Sequence, residues 1–102
     1  VTTNASGTGA ITLNTTTGLI VGTINLFDIM PTAAHIHAAD AGSNGPVVLA
    51  LLDAGNGVFT VPANTILDTT QIGLMQAAGL YTNFHTPENP SGEIRGQITL
   101  GF

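Results

Sequence analysis

Three histidines are the residues of this 102-residue chain best suited to chemistry. Two form the triplet His35-Ile36-His37, and the third, His85, lies in the segment LYTNFHT at 80–86. On an extended strand, residues two apart project from the same face. His35 and His37 therefore present two imidazoles side by side. A nearby strand carrying His85 would bring three neutral nitrogen donors together, the ligand set of a copper or zinc site. Nitrogen sites hold Cu(II) more tightly than Zn(II) in the Irving–Williams order. Zinc is the alternative, since three histidines and a water form a catalytic zinc set. Imidazole must be neutral to bind, so affinity should fall as pH drops below the free histidine pKa of about 6.5. Asp28, Asp40 and Glu88 are candidates for a fourth or outer ligand, and each reads more simply as a solvated carboxylate. Tyr81 and Asn83 share the parity of His85 and belong on its face.

The elements that must position these rings are short strands. Gly9 to Leu13 and Leu19 to Ile29 alternate around a polar turn at Asn14 to Gly18, which reads as a hairpin. Pro31 ends that unit, because proline cannot donate to a sheet ladder. Ala33 to Ala38 carries the histidine pair, and Asp40 to Pro46 is a loop. Val47 to Leu52 is a continuous apolar run, expected as a strand buried on both faces, followed by a turn at Asp53 to Gly57. Val58 to Val61 is a further short strand. Asp68 to Ala78 is the one helical pattern, with Asp68, Thr69 or Thr70 as cap, Gly79 as stop and Met75 as core filler. Leu80 to Thr86 and Glu93 to Leu100 close the chain as strands around a Pro87 to Gly92 turn. This pattern predicts one all-β domain over residues 1–102, a sandwich or barrel with one short helix.

Composition narrows the function. Only 7% of residues are charged, against a typical level of roughly 25%, and the formal net charge is -5. Arg95 is the only Lys or Arg. One cation cannot neutralise a phosphate backbone, so a nucleic-acid partner is not expected. No apolar run reaches the roughly 20 residues of a membrane helix. With no cysteine, disulfides and thiolate sites are excluded. The first residue is Val1, which fits a processed product or a fragment. No serine sits in a nucleophile elbow, so metal binding or storage is a simpler expectation than enzymic activity. Arg95 reads as a surface partner of Glu93 or another carboxylate.

Two segments, AAHIHAADAGSNGPVVLAL at 33–51 and LYTNFHTPENPSGEIRGQI at 80–98, resemble the CHRD domain, a module first described in chordin and common in secreted bacterial proteins. The second is the more specific, because its Tyr, Asn, His, Pro, Gly, Glu, Arg and Gly fall in the family's order. The resemblance runs from about Thr8 to Leu100. It implies a secreted, extracellular or cell-surface protein with an immunoglobulin-like Greek-key β-sandwich, similar to Cu/Zn superoxide dismutase. By that similarity His35, His37 and His85 take the copper-ligand positions. The dismutase also needs a bridging histidine and a zinc set, and three histidines in all cannot supply a dinuclear site. The chain departs from the family at its start, where little room is left for a first strand before Gly7-Thr8-Gly9. A missing strand would leave an open sheet edge suited to strand addition from another chain. The low charge and the mean hydropathy of +0.38 would suit a homo-oligomer or filament subunit. A short strand over Val1 to Asn4 is the alternative that would close the edge.

Overall fold

Threonine- and β-branched-rich runs between glycine, proline and asparagine turns fold into strands in the computed structural model, which describes residues 3–40 and 42–98. In chain order these are β1 (Ser6–Leu13), β2 (Ile20–Phe27), β3 (Ala33–Ala38), β4 (Val47–Ala50), β5 (Leu52–Gly55) and β6 (Val58–Thr60). After them come the helix α1 (Thr69–Gln76) and the strands β7 (Leu80–His85) and β8 (Ile94–Gln97). The strands form two sheets, ordered β1-β2-β6-β5 and β4-β3-β7-β8, and every pairing is antiparallel. The chain crosses between sheets after β2, after β4 and, through α1, after β6.

The inward faces of the two sheets make the core. Ile20, Ile24 and Leu26 of β2 and Phe59 of β6 meet Ala34 and Ile36 of β3 and Leu80 and Phe84 of β7. Phe59 and Phe84 meet edge to face across the layers, with centroids 5.6 Å apart, a favoured aromatic arrangement. The alternation expected of β2 is present, with Val21, Thr23, Asn25 and Phe27 turned outward. Asp28 lies beyond the strand, with φ +60°. The helix begins where its sequence says it should. Asp68 accepts from the Gln71 amide at 2.8 Å, and the Gln71 side chain accepts from the Asp68 amide at 2.9 Å, closing a capping box. Ala78, at φ +58°, makes the left-handed turn that ends it, and Gly79 donates back to the Leu74 carbonyl. Met75 is fully buried, as core filler should be.

The run Val47 to Leu52 is not one doubly buried strand. It breaks at Leu51 into β4 on one sheet and β5 on the other, and both strands are edges. An edge strand at a crossover has one covered face at most, so Val47 and Leu52 stay 54% and 52% exposed while Leu51 alone is buried. The turn after it is also tighter than Asp53 to Gly57. Asp53 to Gly55 belong to β5, and Asn56-Gly57 forms a two-residue hairpin loop with φ +56° and +78°, the positive angles such a turn requires. The last strand stops at Gln97 with Ile98 buried behind it, and Thr99 and Leu100 lie outside the described residues.

Among the described residues β1 pairs only with β2, and β8 only with β7. A cavity of about 600 Å³ opens between these two edges, with Ile24, Leu26, Phe84, Ile94 and Ile98 in its wall. A strand over Val1 to Asn4 would start outside the described residues. Thr3 and Asn4 are not in a strand, and the Thr3 hydroxyl donates to Glu93 instead.

Candidate metal centre

The register of the second sheet brings the three histidines together. Ala33 pairs with His85, His35 with Asn83 and His37 with Tyr81. Because alternate residues share a face, His35 and His37 of β3, Tyr81, Asn83 and His85 of β7, and Arg95 and Gln97 of β8 all stand on the side away from the core. Their sequence neighbours Ala34, Ile36, Leu80 and Phe84 fill the core itself. Beside His37 the β3–β4 pairing shifts register, from Ile36–Leu49 to His37–Val47. Such a bulge re-aims the chain locally.

An outer sheet face normally meets water, yet His37, Tyr81 and Asn83 are buried. The loops on either side account for this. Arg95 donates from Nη1 to the Ser43 carbonyl at 2.6 Å, and Gln97 donates to the Ala39 carbonyl at 2.9 Å. These bonds draw the loop after β3 over the sheet. Asn83 donates to the Ser91 carbonyl at 3.1 Å and holds the loop after β7.

The donor atoms face one another. One nitrogen from each of the three imidazoles lies within 4.8 Å of the other two. Nitrogens around a tetrahedral ion with bonds of about 2.0–2.1 Å sit about 3.3 Å apart. His35 Nδ1 and His85 Nε2 are already at 3.1 Å. The outer nitrogens fix the tautomers. His37 Nδ1 donates to the Gly45 carbonyl and His85 Nδ1 to the Pro90 carbonyl, each at 2.9 Å. In the neutral rings this leaves Nε2 of both as bare lone pairs. The His85 lone pair takes the proton of His35 Nδ1. The His37 lone pair is buried and takes none: its Nε2 is the one buried side-chain polar atom without a partner among the described residues. Burial, and then the neighbouring His85 and His37, hold the His35 imidazole below the usual histidine pKa.

No carboxylate joins the cluster among the described residues, so Asp28, Asp40 and Glu88 are not ligands there. Tyr81 does line the site, stacked on His37 at 5.1 Å with the rings 13° from parallel. Among the described residues Arg95 pairs with neither Glu93 nor another carboxylate. Its guanidinium lies 3.5 Å from the Tyr81 ring centroid and bonds the Ser43 carbonyl. Glu93 instead accepts from Thr3, Thr86 and Asn89. The Thr3 bond foremost, with Thr86 and Asn89 and against burial, holds its carboxyl below the usual range. Gly45 is the site residue whose role the sequence did not reveal. It reads as a loop glycine, and only the folded loop places its carbonyl on His37.

A family model of the CHRD domain matches residues 1–98. No curated protein and no solved structure matches the chain.

Proposed function

The chain belongs to the CHRD domain family, and from that premise we propose that it is a secreted β-sandwich module holding one metal ion between His35, His37 and His85. CHRD domains occur in extracellular and secreted proteins generally. The observation that carries the reading is the bare, buried Nε2 of His37 aimed into a cluster of two further imidazoles. Leaving a buried acceptor unpaired costs about 1–3 kcal/mol, and a metal ion would offset that cost.

Copper is the ion we assign, with zinc as the alternative. The donor set is all nitrogen and neutral, which suits both, and the Irving–Williams order favours Cu(II). The protein holds the rings in their tautomers and keeps the site partly covered, as binding or storage requires. The test is titration of the metal-free protein with Cu(II) and Zn(II), beside His37→Ala and His85→Ala. One equivalent should bind more tightly than micromolar, and either substitution should abolish it. Binding no tighter than micromolar, or unchanged in both variants, refutes the site.

A second reading, a structural subunit assembled through strand addition, is favoured by the edges of β1 and β8, which have no further strand among the described residues, and by the cavity between them. The occupant would be an extended segment of another copy, since unpaired edges offer backbone donors and acceptors in register. A species that remains monomeric at millimolar concentration rejects it.

A further inference from the structure

We propose that Tyr81 is a positioning residue for the metal ligand His37 and acts through the backbone of Gly45, with Arg95 as the clamp. Gly45 is held from both ends. Its amide donates to the Tyr81 hydroxyl at 3.1 Å, and its carbonyl accepts from His37 Nδ1 at 2.9 Å. The hydroxyl anchors the amide end of Gly45, and the carbonyl at its other end fixes which imidazole nitrogen keeps the proton. Tyr81 reaches His37 a second time through its ring, which stacks on the imidazole.

Arg95 completes the assembly. Its guanidinium lies over the Tyr81 ring and donates to the Ser43 carbonyl, two residues before Gly45. The only Lys or Arg of the chain is therefore spent on the ring and the loop that orient one ligand. Tyr81 is 1% exposed, so the hydroxyl bond is shielded from competing water. A sheet residue with a structural role alone would need the ring but not the hydroxyl.

The affinity part of this proposal rests on the metal reading of the site; the tautomer part does not. The test is Tyr81→Phe, which keeps the stack and removes the acceptor. Nitrogen-15 NMR of the metal-free protein, at a pH where all imidazoles are neutral, reads the tautomer of each histidine. His37 should change from a single Nδ1–H tautomer to a mixture, while His85, held by Pro90, should not change. Cu(II) affinity should fall about tenfold, as when other outer partners of ligating histidines are removed. An unchanged His37 tautomer overturns the proposal, whatever the affinity does. A mixed tautomer with unchanged affinity overturns the link to metal binding. If the wild type binds no metal, the metal reading fails, and the tautomer still decides the positioning role. Should Tyr81→Phe not fold, Arg95→Met removes the clamp, and the same loss of the single His37 tautomer is required of it.

Discussion

Replacing Gly45 by alanine should damage both the fold and the site, by an amount the geometry sets. A Cβ at this position would lie 1.7 Å from the Ala38 carbonyl oxygen and 2.6 Å from its carbon. Ordinary C···O contacts begin near about 3.3 Å. The obstacle is backbone, so no rotamer change relieves it, and the loop must withdraw by about 1.5 Å. Three hydrogen bonds run through this point: Gly45 amide to Tyr81, His37 to the Gly45 carbonyl, and the Ala38 amide to the Pro46 carbonyl at 3.0 Å. A withdrawal of that size takes all three beyond hydrogen-bonding distance. At about 0.5–1.5 kcal/mol each, the loss is about 1.5–4.5 kcal/mol. For a domain of this size that lowers Tm by roughly 6–36 °C. Calorimetry of the metal-free variant measures the stability, and isothermal titration measures Cu(II) affinity, expected to drop at least about tenfold. A Gly45→Ala protein within about 0.5 kcal/mol of wild type refutes the argument that the loop is closed down on β3 at this point.

Two further outcomes follow from the same structure. His35 is held below its usual pKa by burial and by its two histidine neighbours, so on acidification the unfolded chain takes up this proton first. The stability tied to the neutral ring is whole above about pH 6.5 and is lost as pH falls through the lower folded value; Tm of the metal-free protein should decline across that window, more than in His35→Gln. Met75→Ala empties a fully buried position between α1 and the sheets and should cost about 2–5 kcal/mol in urea unfolding, without altering the stoichiometry of metal binding.

The strands were legible because their signals are local. The alternation of β2 and the capping residue Asp68 each act within a few residues and are found where the sequence puts them, although β2 ends at Phe27, where Asp28 turns left-handed, before Pro31 is reached. The histidine cluster was legible for a related reason. Strand parity places His35 with His37, and antiparallel pairing of β3 with β7 places His85 beside them. The run Val47 to Leu52 was misread because its apolar composition resembles an interior strand, while its surroundings are set by a change of sheet at Leu51. Gly45 and Arg95 were not legible at all. Their roles depend on a loop folding back over an outer sheet face, and no spacing in the chain records where its carbonyls will point.

The histidines also admit a purely structural explanation, and it accounts for most of the cluster. Polar groups on a covered sheet face must be satisfied. His37 Nδ1 and His85 Nδ1 hold loop carbonyls, and His35 satisfies the inner nitrogen of His85. The imidazole of His37 holds the carbonyl and still leaves Nε2 bare, buried and pointed at two rings of the same kind. Those two rings share one proton across 3.1 Å, and that proton can move to Nε2 of His35 and so free Nδ1. The structural explanation therefore fits four of the five nitrogens that face loops or one another and leaves a cost at the fifth. A metal ion accounts for the fifth and requires the Nδ1–H tautomers that the loop carbonyls already impose on His37 and His85.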